Sequence, residues 1–281
     1  MVETGTGKRG TLRGTLRFVE VEEARAARGL RLVLITGLPS PWSEGARALF
    51  ATKGLDVLAV RFRLGDKAVT DWTGVPNAPV VMLDDEPARS GWAEIIALAE
   101  RLRPEAPLVP ANAAERARMF GLLHVLLGED GVAWSRRLLA VDESFRPEDP
   151  ERPRRGFPPP IANVLAARYG YAPHRIPAAK ARLVDALGLL DAELRRDRAG
   201  TTADAAADDE APYFFGPRLT ALDLYAAAVL ALLVPPAEAL RPILPALRPV
   251  FEHLDPEVRA AVTPALGAHR ALVYTRHMRD A

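Results

Sequence analysis

The chain is 281 residues long, 49% hydrophobic and 26% charged, the composition of an ordinary globular protein, and its length favours two domains over one core. Its 37 Lys and Arg offset 36 Asp and Glu to a formal charge of +1, so no net field gathers nucleic acid or an anionic membrane. The absence of cysteine excludes disulfides, thiolate metal sites and a cysteine nucleophile.

In chain order, residues 1–17, rich in Gly, Thr, Lys and Arg, read as a flexible tail without the apolar segment of a signal peptide, which makes a reducing cytoplasm the expected location. Val21 to Arg28 reads as one short helix. The β-branched apolar run Arg31 to Thr36 predicts a buried central strand. Gly37 stops it, and Leu38-Pro-Ser-Pro-Trp42 turns into a helix with Ser40 as N-cap and Pro41 at the first helical position. Ala46, Leu49 and Phe50 form its apolar stripe and Gly54 closes it. Leu55 to Phe62 is a second strand, a loop carries Asp71 and Trp72, and Ala78 to Leu83 is a third strand opened by a proline. Asp84 to Pro87 has turn chemistry, and Ala93 to Arg103 reads as a helix burying Ile95, Ile96, Leu98 and Leu102. A β-α-β unit followed by a β-β-α unit is the thioredoxin-like pattern.

After Pro104 the character changes. Glu115–Leu127, Ile161–Tyr169, Ala178–Arg196, Ala221–Leu233 and Pro256–His277 are helical by composition or period, and Leu183, Leu187, Leu190 and Leu194 make a regular stripe. No alternating strand pattern and no internal repeat occur there. Gly200 to Ala211 reads as a flexible connection, and Arg152 to Arg155 as a solvated basic loop. The longest apolar stretch, Leu224 to Pro236, is too short to span a bilayer. The expected division is 1–30 as tail and short helix, 31–104 as a thioredoxin-like α/β domain, and 112–281 as an all-helical bundle domain.

This order resembles the glutathione transferases. Pro104-Glu-Ala-Pro-Leu-Val-Pro110 is similar to their interdomain linker, Ser40-Pro41-Trp42 to the start of their first helix, and Asn77-Ala78-Pro79-Val80 to their cis-proline segment. Phe214-Phe-Gly216 followed by Thr220-Ala-Leu-Asp223 resembles their helix-capping motif. The resemblance implies glutathione as cosubstrate in an interdomain cleft, a small hydrophobic electrophile as second substrate, and a homodimer. It also implies a cis Ala78–Pro79 bond, with Ala78 offering its backbone to a peptide. Ser40, at a positive helix end, would stabilise the thiolate, with Ser43 as the substitute and Trp42 walling the site. Ser90 or Gly91 would hold the γ-glutamyl end, although Arg89 stands where the family has an acid and Trp92 follows closely. Thr220 and Asp223 imply a structural cap, the Thr side chain meeting the amide three residues on.

The five histidines show no zinc-site spacing, and no HExxH string or Gly-rich phosphate loop occurs, so neither a metal nor a nucleic-acid partner is expected. His124 either lines the cleft or packs in a core or interface, and Asp71 and Glu129-Asp130 read as loop carboxylates without visible partners. The leading expectation is a glutathione transferase that conjugates or reduces a small electrophile. The alternative is a binding or assembly module that keeps the fold without the chemistry.

Overall fold

The computed structural model describes residues 13–147, 155–196 and 212–278. Its first part is a four-stranded sheet in the order β1-β3-β2-β4, formed by β1 (Leu16–Phe18), β2 (Leu30–Leu34), β3 (Val57–Arg61) and β4 (Val80–Leu83). β3 runs parallel to both β1 and β2, while β4 pairs antiparallel with β2, Leu32 facing Val81. The apolar run makes β2 central, and all five of its residues are buried. Arg31 among them turns its guanidinium to the carbonyls of Ala27 and Asp84. Helices α1 (Val21–Ala26), α2 (Pro41–Thr52), α3 (Lys67–Thr73) and α4 (Trp92–Leu102) flank the sheet.

Three features of this part depart from expectation. The stretch read as a tail contributes β1, too short and too charged to announce itself; Asp56 Oδ1 secures it by accepting from the Thr15 N–H (2.8 Å) and hydroxyl (2.6 Å). The expected loop at Asp71 and Trp72 is α3, capped by Asp66, which accepts from the Val69 N–H, and closed by Gly74 at φ 72°. Asp71 is therefore partnered, by Lys67 one turn earlier. The second strand of the β-β-α unit shrinks to one antiparallel bridge between Val81 and Arg89.

The second part is helical: α5 (Ala113–Leu127), α6 (Val132–Phe145), α7 (Pro159–Tyr169), α8 (Ile176–Arg196), α9 (Ala221–Leu233), α10 (Arg248–Glu252), α11 (Pro256–Ala261), α12 (Pro264–Val273) and a π-helical turn, Tyr274–Met278. Beyond Leu83 the described residues contain only isolated bridges and no strand. α6 was not foreseen, because Arg136 and Arg137 lie on its buried side and break the apolar period. The expected helix 256–277 is interrupted where Thr263 accepts from the Leu266 N–H and Pro264 starts α12. α9 is buried all round and forms the axis of the helical part. In the cap before it, formed by Thr220 and Asp223, Asp223 Oδ2 accepts from both the N–H and the hydroxyl of Thr220 (2.8 Å each), and Oδ1 accepts from the Phe214 N–H at 2.9 Å. His269 Nε2 lies 3.0 Å from the same Oδ1. Asp130 is held by Arg182 at 2.8 Å and Arg175 at 3.4 Å, and His124 is exposed. The connection Gly200–Ala211 and, Arg155 apart, the basic stretch Arg152–Arg155 lie outside the described residues, as do residues 1–12 of the expected tail.

α2 joins the two parts. One side packs on the sheet and the other on α9, where Gly45 meets Tyr225 so closely that a Cβ would stand 2.7 Å from the ring Cγ. The next residue back, Glu44, is 2% exposed and accepts from the Tyr274 hydroxyl at 2.6 Å, from Arg241 at 2.8 Å and from the Ser40 N–H at 3.2 Å. The linker is pinned at Leu108, whose N–H donates to Glu100 at 3.0 Å and whose carbonyl accepts from the first amide of α9 at 2.8 Å. Lys53, fully buried, donates to Glu100 and to the Ala106 carbonyl at 2.7 Å each.

Glu44→Gln strands the Arg241 charge in a buried site and is expected to lower unfolding free energy by about 3 kcal/mol in urea titrations. Glu115→Gln, which breaks only the exposed pair with Arg218, is expected to cost less than about 1 kcal/mol. Gly45→Ala raises helix propensity yet is expected to lower stability by about 2 kcal/mol, because the methyl group overpacks the Tyr225 face. A stability at or above wild type would refute the close contact.

Candidate functional site

A cavity of about 300 Å³ opens where the β2–α2 loop and the β3–α3 loop face α6 and α7. Ser40, Trp42 and Ala78 line it from the sheet side, and Arg137, Phe157 and Tyr169 from the helical side. Leu64 and Leu244, both exposed hydrophobic residues, belong to its lining as well. The structure thus brings together three of the residues expected at the site.

Each is positioned by local chemistry. Ser40 has φ −130° and precedes Pro41, whose missing N–H costs nothing in the first turn of a helix. The expected capping bond of Ser40 does not form. Glu44 reaches back to the Ser40 N–H instead, which leaves Ser40 Oγ without a hydrogen-bond partner among the described residues. The residue is 3% exposed and lines the cavity at the positive end of α2. Ser43 cannot substitute, because its buried hydroxyl accepts from the Ile35 N–H at 3.2 Å and does not line this cavity. Trp42 is fixed as a wall by donation from its indole Nε1 to the Leu127 carbonyl at 3.0 Å.

Ala78 lines the cavity, and the Ala78–Pro79 bond is cis. Pro79, Ser90 and Gly91 are not among the cavity residues. The bridge between Val81 and Arg89, with backbone bonds of 2.8 and 3.0 Å, nevertheless sets Ser90 opposite Val80 and Gly91 opposite Pro79. Ser90 is exposed and Gly91 caps α4, its N–H donating to Glu94 at 3.2 Å. The side chain of Arg89 is committed to Glu86 at 2.6 Å. Trp92 does not narrow the cavity; its ring stacks on Phe120, centroids 6.1 Å apart.

The sign of the cavity was not foreseen. Arg63, Arg137 and Arg168 line it, and no carboxylate does among the described residues. Arg137 is 5% exposed and lies near the rings of Phe157 and Phe251. It donates to the Pro39 carbonyl at 3.0 Å, the residue before Ser40, while its Nε has no acceptor. Burial lowers its pKa from the usual guanidinium value, and the neighbouring Tyr169 partly offsets that effect. The sequence signal was present as an Arg-Arg pair inside an apolar stretch, Val132-Ala-Trp before it and Leu138-Leu-Ala-Val after it. Among the described residues no group of three or more His, Asp or Glu is placed to hold a metal ion, and no helix is long and apolar enough to cross a membrane.

No family model and no curated protein sequence matches the chain. Solved structures do. Glutathione transferase Omega 3C from Trametes versicolor aligns at 15% identity over 93% of this chain and 92% of its own, with a TM-score of 0.55. A glutathione S-transferase from Methylobacterium radiotolerans, in complex with glutathione sulfonate, aligns at 17% identity over 90% and 95%, TM-score 0.54. One from Methylobacillus flagellatus with glutathione bound aligns at 17% identity over 88% and 96%, TM-score 0.54. A thioredoxin-like sheet followed by a helical domain, closed around an interdomain cleft, gives this chain the fold of the glutathione transferases.

Proposed function

We propose that the protein binds glutathione in the interdomain cleft and uses the bound thiol to conjugate or reduce a small, largely apolar electrophile. The observation that carries this reading is the Ser40 hydroxyl, unpartnered at the head of α2 and opening onto a cleft lined by arginines and apolar side chains. Two of the similar structures hold glutathione or its sulfonate, which adds support from the fold.

In this reading the tripeptide lies along Ala78-Pro79, its sulfur at Ser40 and its γ-glutamyl carboxylate at Ser90 and Gly91. The Ser40 O–H donates to the thiolate, and the α2 dipole favours the same charge by about 1 kcal/mol. Arg137, bonded to the adjacent Pro39 carbonyl, adds a fixed positive charge at low dielectric. The thiolate sulfur then attacks the electrophilic carbon, a C–S bond forms, and a leaving group such as chloride departs with its electron pair. Phe157, Ile161, Leu165 and Leu247 supply the apolar wall for the acceptor. The reading carries with it a cytoplasmic homodimer with the cleft mouths near a two-fold axis, testable by mass in solution.

Calorimetry on the pure protein is expected to show saturable glutathione binding. Ser40→Ala is expected to raise the pKa of the bound thiol by about one unit, followed by thiolate absorbance. It is also expected to lower kcat toward a chloroaromatic acceptor about tenfold, with little change in the affinity for glutathione. Undiminished turnover in Ser40→Ala would reduce Ser40 to a helix-start residue. No binding by the wild type would transfer the reading to a module that keeps the fold without the chemistry, for which Arg89 in place of an acid is the motivating observation.

A further inference from the structure

A second cavity, of about 240 Å³, lies on the other side of the β2–α2 loop, between α2, the edge strand β1 and Arg241. Ile35 and Thr36 line both cavities, but the residues that give this one its chemistry are Arg47, Arg61 and Arg241. Glu44 is the one carboxylate among its lining residues. That carboxylate is already committed to Arg241, the Tyr274 hydroxyl and the Ser40 N–H.

The three guanidiniums are underused. Arg47 makes no hydrogen bond and no ion pair with any described residue. Burial, reinforced by the charge of Arg241, lowers its pKa, and the nearby Glu44 and Tyr274 partly offset that effect. Arg61 lies over the face of Phe18 at 3.9 Å and has no acidic partner among the described residues. Arg241 Nε is buried without an acceptor, although the other end of the group bonds Glu44. Among the described lining residues, three guanidiniums therefore face one carboxylate, a net charge of +2 that a dianion would match. Arg47 is half-buried and Arg61 exposed, so their guanidinium forks are accessible, and such forks are matched to carboxylate and phosphate oxygens. The opposite wall is apolar, made by Leu16, Phe18, Leu34 and Ile35. At roughly 30 Å³ per water, the volume exceeds what an oxoanion alone fills.

We propose that this cavity is a binding site for a phosphate monoester carried on a small apolar or aromatic group, the phosphate held by Arg47, Arg61 and Arg241 and the organic part against Phe18 and Leu34. Two negative charges match that net charge, which favours a phosphate monoester over a monocarboxylate. The site is separate from the glutathione cleft and does not depend on the reading given for that cleft.

The test is calorimetric titration of the full chain at low salt with phenyl phosphate and, in parallel, with inorganic phosphate. Phenyl phosphate is expected to bind saturably and more tightly than inorganic phosphate. Arg47→Met and Arg61→Met are each expected to weaken it about tenfold or more, the scale of a lost charge-assisted contact. Arg63→Met, in the interdomain cleft, should leave it unchanged. Arg61 is exposed, so its variant decides the matter if Arg47→Met fails to fold. Absence of saturable binding, binding indifferent to Arg61→Met, or binding lost in Arg63→Met would overturn the site. Inorganic phosphate binding as tightly as phenyl phosphate would overturn the ester assignment.

Discussion

The burial of one carboxylate organises this molecule. Glu44 sits in the first turn of α2, a position where acids are common because they face a helix N-terminus. Here it is taken out of water and must be satisfied by the protein, which it is, by groups distant in sequence: Tyr274 near the C-terminal end of the chain, Arg241 in the segment after α9, and the backbone of Ser40. A buried ion pair is poor evidence for net stability, since apolar packing often does as well. Its effect is specificity. Tyr274 and Arg241 both come from the helical part, so their meeting at Glu44 ties that part to the start of α2, beside the cleft.

The same network explains why Ser40 is chemically open. Glu44 accepts from the Ser40 amide, so the helix start is satisfied without the serine side chain. Arg137 then grips the carbonyl of Pro39 from the opposite part, so the residues preceding the helix are held from both sides. The hydroxyl has no structural task among the described residues, and the charged residues among the described lining of its cleft are all arginines. For an anionic tripeptide thiol, those two facts act in the same direction: the field draws the ligand in, and the donor favours the charged form of its sulfur.

What could be read from the chain follows physical lines. The runs that became β2 and β3 were legible because they are short and mostly apolar between turn signals, and α9 because it is buried around its whole circumference. Ser40, Trp42 and Ala78 were singled out by the resemblance of their segments to those of the glutathione transferases, and all three line one cavity. α6 was hidden because Arg136 and Arg137 occupy buried positions, Arg136 held by the carbonyls of Val250 and His253. β1 was hidden because three residues have no period of their own, and their strand exists through pairing with β3. Arg137, Phe157 and Tyr169 reach the cleft only through tertiary packing, and Glu44 looked like any acid in a first helical turn. Long-range satisfaction of buried charge leaves no local pattern.

The contact between Gly45 and the Tyr225 ring sets how the two halves can respond to a ligand. Shear of packed helices needs side chains that slip between alternative grooves, and a hinge needs a segment free to rotate. At Gly45 the backbone of α2 lies directly against an aromatic plane, with no side chain to slip, while Leu108 and Lys53 tie the linker to both parts. Sliding of α2 along α9 is therefore opposed at this contact. A ligand of the cavity would pass the exposed Leu64 and Leu244, which belong to its lining, rather than require the two parts to move against this contact.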